Sequence, residues 1–196
     1  MNTAASTFIR PRQRPHASTS ILNTRINNVA WIYPRQDQVC FLDGHVKAFA
    51  HLGAVPQRLI YDNLKAAVTK VLVGSERQLS PRFLAMAAHY NLEPSFARPR
   101  TGHDKGGVEA RGKGIRWQHL VPIPAGPDLP HISNELLGCL DGGIVQRRNE
   151  EGKTVAERFA LEFALMLPLP SRPFRAAQVQ TACASRRALV KLVGAE

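Results

Sequence analysis

Asp62 and Glu109 are the two acids in this chain whose surroundings suit metal-assisted chemistry. Phosphoryl transfer on a nucleic acid uses two divalent cations about 3.5–4 Å apart, one assisting the attacking oxygen and one the leaving oxygen. Hard Mg²⁺ ions need carboxylates converging from separate elements. Asp62 closes the short apolar segment Gln57 to Tyr61, where a strand gives way to a loop, and Glu109 stands 47 residues further on, after the glycine-containing stretch Thr101 to Gly107. Spacing alone does not single out two acids among fifteen.

The neighbourhood of Glu109 says more. His103, Asp104 and Lys105 precede it, and Arg111, Lys113 and Arg116 come after it. On a helix of 3.6 residues per turn, positions 109, 113 and 116 share a face, so a carboxylate would hold metal while cations beside it grip phosphates. An ordinary i, i+4 ion pair between Glu109 and Lys113 accounts for the same spacing.

The elements that must position these residues are legible in part. Val39, Leu42, Val46 and Phe49 recur at helical spacing, and Gly53 stops the helix. Asp37 and Asp43 belong to this region and are expected to cap and to face solvent. Ser80-Pro81 starts a second helix carrying Phe83, Leu84, Ala87 and Ala88. Pro94 to Arg98 reads as a strand, and a helix is expected over Val108 to Leu120. Pro122 to Pro130 reads as a connector, leading to a helix through Ile132, Leu136, Leu140 and Val145. Thr154 and Glu157 form a capping-box pattern before a helix expected to run through Phe159, Phe163 and Leu167. Pro168 to Pro173 breaks it, and strands are expected at Val179 to Ala184 and Ala188 to Val193.

The first 36 residues contain five arginines and no Asp or Glu, without periodicity until Val29 to Tyr33. They are expected to be a basic arm over 1–32, DNA-binding, targeting or unrelated to the rest of the chain. A formal charge of +11 and a pI near 10.3 favour polyanions, with nucleic acid the leading partner and a ribosomal-type or simply basic protein the alternative. Cys40, Cys139 and Cys183 lack CxxC spacing and read as thiols in a reducing cytoplasm. The histidines lack the paired cysteines of a zinc module. Trp31 and Trp117 are expected to pack.

Several blocks occur in a fixed order: Phe41-Leu42-Asp43-Gly44-His45, Tyr61-Asp62-Asn63-Leu64-Lys65, Gly102 to Lys113, Glu157-Arg158-Phe159 and Ser185 to Lys191. In these blocks the chain from Tyr33 onward resembles insertion-sequence transposases of the IstA type, which share the DDE, or integrase, catalytic core. The resemblance implies an α/β, RNase H-like core over 33–125, a helical segment over 126–170 and the start of a small β domain over 171–196. It makes Asp62 the second catalytic acid and Glu109 the third, both ligands of Mg²⁺ with Mn²⁺ as substitute. Lys105, Arg111, Lys113 and Arg116 would contact DNA. Implied partners are transposon-end and target DNA, an IstB-type AAA+ ATPase and further copies of the chain, on a bacterial nucleoid and away from membranes. The family's first acid lies on a strand upstream of the first helix. This chain has no acid before Asp37, so the core is expected to be incomplete at its N-terminus, without the antiparallel half of its sheet, and inactive in strand transfer.

Overall fold

The computed structural model describes residues 3–9, 18–24, 28–61, 68–71, 77–96, 114–115, 117–121, 126–146, 148 and 151–177; for 3–9, 18–24, 68–71, 77 and 144–146 it is the backbone that is described. Seven strands and four helices are bounded within these stretches, and residues 114–115 and 117–119 are helical as well. The strands are β1 (Thr3–Ile9), β2 (Ser18–Thr24), β3 (Asn28–Tyr33), β4 (Arg58–Tyr61), β5 (Val68–Val71), β6 (Arg77–Leu79) and β7 (Glu93–Phe96). The helices are α1 (Gln38–Leu52), α2 (Pro81–His89), α3 (Leu129–Gln146) and α4 (Val155–Phe163). The strands expected at 179–184 and 188–193, and the first part of the helix expected over 108–120, lie outside the described residues.

A five-stranded sheet runs in the order β3-β2-β1-β4-β7. The pairs β3/β2 and β2/β1 are antiparallel, while β1/β4 and β4/β7 are parallel. This corrects the expectation of a missing antiparallel half, and the basic arm expected over 1–32 takes part in it, because β1, β2 and β3 supply the three strands of that half. The signal was hidden for a physical reason. β1 reads TAASTFI and is hydrogen-bonded along both edges, so its place comes from ladder bonds rather than from an alternating apolar face. β5 and β6 form a separate two-stranded ribbon that no pattern in the sequence announced.

α1 forms as expected. The Asp37 carboxylate accepts from the Cys40 amide at 2.8 Å, and Gly53 ends the helix at φ 72°, a left-handed conformation that suits glycine. Its inward stripe, Phe41, Leu42, His45, Ala48, Phe49 and Leu52, is buried on one sheet face together with Leu59, Tyr61, Phe83 and Met86. Each large apolar side chain buried there contributes roughly 1.5–3 kcal/mol. β3 shows the pleat directly: Val29 joins this cluster, and Ala30 joins a second one with Ile115, Leu120, Leu136 and Leu140.

α3 covers the outer edge of β3. Ser133, fully buried, accepts from the Ile32 amide at 3.1 Å and donates to the Leu129 carbonyl at 2.8 Å, which satisfies an edge N–H. α3 begins at Leu129, so Pro130 lies in its first turn rather than in a connector, where the missing N–H costs nothing. α4 has the expected capping box but stops at Phe163. Leu167 instead makes a two-way backbone bridge with Val55, because the run of prolines after it cannot continue a helix. Trp31 packs against the core as expected, whereas Trp117 is 67% exposed and does not.

Candidate functional site

Parallel pairing brings the C-terminal ends of β1, β4 and β7 to one edge of the sheet. Ser6 is the register partner of Tyr61, and Tyr61 is the partner of Phe96. β1 continues through Thr7, Phe8 and Ile9, beyond the described end of β4. The segments that leave this edge after β4 and β7 carry Asp62 and Glu109 in the sequence.

What fixes the end of β4 is an aromatic cluster. Tyr61 is fully buried, its ring 5.1 Å from Phe83, 5.6 Å from Phe96, 5.6 Å from His45 and 6.0 Å from Phe41, centroid to centroid. Burial pushes its phenol well above the ordinary range. His45 is buried as well, and desolvation lowers its imidazole to about 4 against the weaker opposing effect of a bond to the Phe41 carbonyl. That carbonyl lies 2.8 Å from Nδ1 and can only accept, so Nδ1 carries the proton. His45 Nε2 and the Tyr61 hydroxyl have no hydrogen-bond partner among the described residues. Neither residue stood out in the sequence as part of a site. The available cues were the places of His45 and Tyr61 at the ends of the blocks Phe41-Leu42-Asp43-Gly44-His45 and Tyr61-Asp62-Asn63-Leu64-Lys65.

A second polar group lies where α1 meets β3. The Tyr33 hydroxyl donates to Asp43 at 2.7 Å, and Lys47 pairs with Asp43 at 2.8 Å while lying over the Trp31 and Tyr33 rings. Burial and the adjacent Asp43 carboxylate both raise the Tyr33 phenol. Asp37 thus caps α1 as expected, whereas Asp43, expected to face solvent, is half-buried between Tyr33 and Lys47. His51 bonds Asp141 at 3.0 Å, tying α1 to α3.

Asp62, Glu109, Lys105, Arg111, Lys113 and Arg116 lie outside the described residues. Among the described residues no group of three His, Cys, Asp or Glu side chains could hold a metal ion. The donor set can still be tested on β1, the parallel neighbour of β4. Its residues are Thr, Ala, Ala, Ser, Thr, Phe and Ile, so no carboxylate on this strand could be shared between two cations. The two acids named from the sequence, Asp62 and Glu109, would suit one Mg²⁺ completed by water in chemical kind.

No family model matches the chain. Over 143 residues, 72% of its length, it is 35% identical to a transposase of Aminobacter aminovorans, and it spans 28% of that protein. It is 34% identical over 142 residues to the transposase for insertion sequences IS1326/IS1353 of Pseudomonas aeruginosa, again spanning 28% of the relative. It is 32% identical over 142 residues to the transposase for insertion sequence element IS21 of the same organism, spanning 36%. Among solved structures, the HTLV-2 integrase catalytic core domain in complex with magnesium superposes at TM-score 0.58 with 16% identity, covering 80% of this chain and 94% of that one. The catalytic core domain of BIV integrase superposes at 0.61 with 10% identity, covering 84% and 97%. These likenesses establish an RNase H-like fold of the integrase-core type.

Proposed function

We propose that this chain, a member of the broad superfamily of DDE transposase and retroviral integrase catalytic cores, binds DNA as part of an insertion-sequence transposase and does not itself carry out strand transfer. The observation that carries this reading is the β1/β4 register: the strand beside the one that leads into Asp62 has no acid at any of its seven positions. A charge of +11 supports the DNA-binding half. In this reading Asp62 and Glu109 retain the positions of the second and third acids and would hold a single Mg²⁺ or Mn²⁺. That ion would supply charge neutralisation beside a phosphate. Lys105, Arg111, Lys113 and Arg116 contact the DNA backbone. The subfamily is of the IstA type, the helper is an AAA+ ATPase of the IstB type, and the chain joins a multimer on DNA.

The test is incubation of the purified chain with transposon-end DNA and Mg²⁺ or Mn²⁺, with Glu109→Gln as control. Retained DNA binding without cleavage or joining products is the expected result. Products that depend on Glu109 would mean another group replaces the first acid, and absence of DNA binding would remove the reading altogether.

A further inference from the structure

α4 buries no residue; Leu161 and Phe163 on it are 68% and 45% exposed. The chain beyond it is nonetheless held closely to the core. Val55 and Leu167 exchange two backbone bonds of 2.9 and 2.8 Å, and the Gln57 amide donates to the Leu165 carbonyl at 2.9 Å. Further along, His89 Nε2 donates to the Arg172 carbonyl at 2.9 Å, and the Arg82 guanidinium donates to the carbonyls of Arg175 and Ala176. The Phe174 amide donates to the Tyr90 hydroxyl at 3.2 Å. The Phe174 ring lies between Arg82, 4.9 Å away, and His89, 5.7 Å away.

Three properties of this contact resemble peptide recognition rather than interior packing. The core reads backbone groups rather than side chains: the carbonyls of Leu165, Leu167, Arg172, Arg175 and Ala176 and the amides of Leu167 and Phe174. Pro168, Pro170 and Pro173 fix their own φ and hold the backbone extended before docking. Only Leu167, Phe174 and Ala176 are packed as apolar anchors, and each is only partly buried.

We propose that the surface formed by Val55 and Gln57 of the α1–β4 connection and by Arg82, His89 and Tyr90 at α2 is a docking surface for an extended, proline-interrupted segment, and that residues 165–176 are its detachable resident ligand. Docking fixes the exit of the chain beyond it at the N-terminal end of α2, beside the Gln38–Ser80 contact. α4, which packs only Phe159 against the core, is thereby fastened again at its far end.

The experiment inserts a specific protease site between Gly152 and Lys153, a turn where Glu151 and Lys153 are exposed, in the otherwise full chain. After cleavage, residues 153–196 are expected to co-elute with the remainder in gel filtration, and excess synthetic peptide of sequence 165–176 to displace them. Arg82→Ala with Phe174→Ala should release them about tenfold faster or more, given net losses near 1 kcal/mol per hydrogen bond. Immediate release from the otherwise unsubstituted chain would overturn the proposal, and so would retention that neither the peptide nor the double substitution alters. Should the double variant fail to fold, displacement by peptide from the native sequence decides the matter.

Discussion

Ser6 of β1 and Tyr61 of β4 are partners in the parallel ladder, which makes Thr7 the first β1 residue beyond the described end of β4. Thr7→Asp is therefore the substitution expected to place a third carboxylate beside the two already carried by the chain. Mn²⁺ binding, measured by titration calorimetry, should tighten by about tenfold or more, as a further charged oxygen ligand is added. The gain should vanish when Asp62→Asn is combined with it. Unchanged Mn²⁺ affinity would argue that β1 does not border the metal position.

The Tyr61 hydroxyl, buried and without a partner among the described residues, already bears its desolvation cost. Tyr61→Phe is expected to be neutral or to stabilise by up to about 1 kcal/mol in urea unfolding. A loss above that size would reveal an acceptor or a bound water satisfying the phenol.

His45 gives a pH dependence with a definite sign. Its folded value of about 4 lies below the ordinary 6.5, so the unfolded chain takes up the proton first as pH falls. The stability associated with neutral His45 is complete above about pH 6.5 and declines as the pH drops toward 4. His45→Leu, which fills the site without a titrating nitrogen, should flatten the unfolding midpoint over that window. A slope identical to that of the native chain would exclude His45 as its source.

Ser80 is buried, accepts from the Phe83 amide at 3.1 Å as the cap of α2, and accepts from Gln38 at 2.6 Å. Ser80→Ala is expected to cost about 1–2 kcal/mol by chemical denaturation, and Ser80→Asp to recover part of it through the same capping bond. Equal losses in both variants would point to the Gln38 contact rather than the cap.

Arg111, Lys113 and Arg116 are expected to contact phosphate. Replacing each by Gln should weaken binding to unrelated duplexes uniformly and reduce the salt slope by about one per residue. Loss confined to one DNA sequence would contradict a backbone role.

The helices were readable because their signals are local. Asp37, Ser80 and Thr154 each accept from an amide three residues ahead, and Gly53 closes α1, so a few neighbouring residues determine each terminus. The antiparallel half of the sheet was not readable, since β1 becomes a strand through partners on β2 and on β4, far along the chain. Leu167 shows the same limit: its helical spacing from Phe163 was real, yet the prolines beyond it and the backbone of Val55 decided its conformation. Of the candidate site, the sequence marked the acids Asp62 and Glu109. It did not mark His45 and Tyr61, because a buried polar pair beneath a strand end is a property of packing. Asp62, Glu109 and the four basic residues named with them rest on sequence, as they lie outside the described residues.

The central place of β1 also sets an order of events. As the chain emerges, β1 can pair with β2 on one edge at once, but its other edge waits for Arg58 to Tyr61 to be made. Until then a nascent hairpin offers an open row of amides and carbonyls to any neighbouring strand, its own kind included. Closing that row spans α1 and its turn, so β1/β4 docking is a long-range step of the kind that slows folding. Yield of folded protein should depend on how quickly α1 and β4 emerge after it.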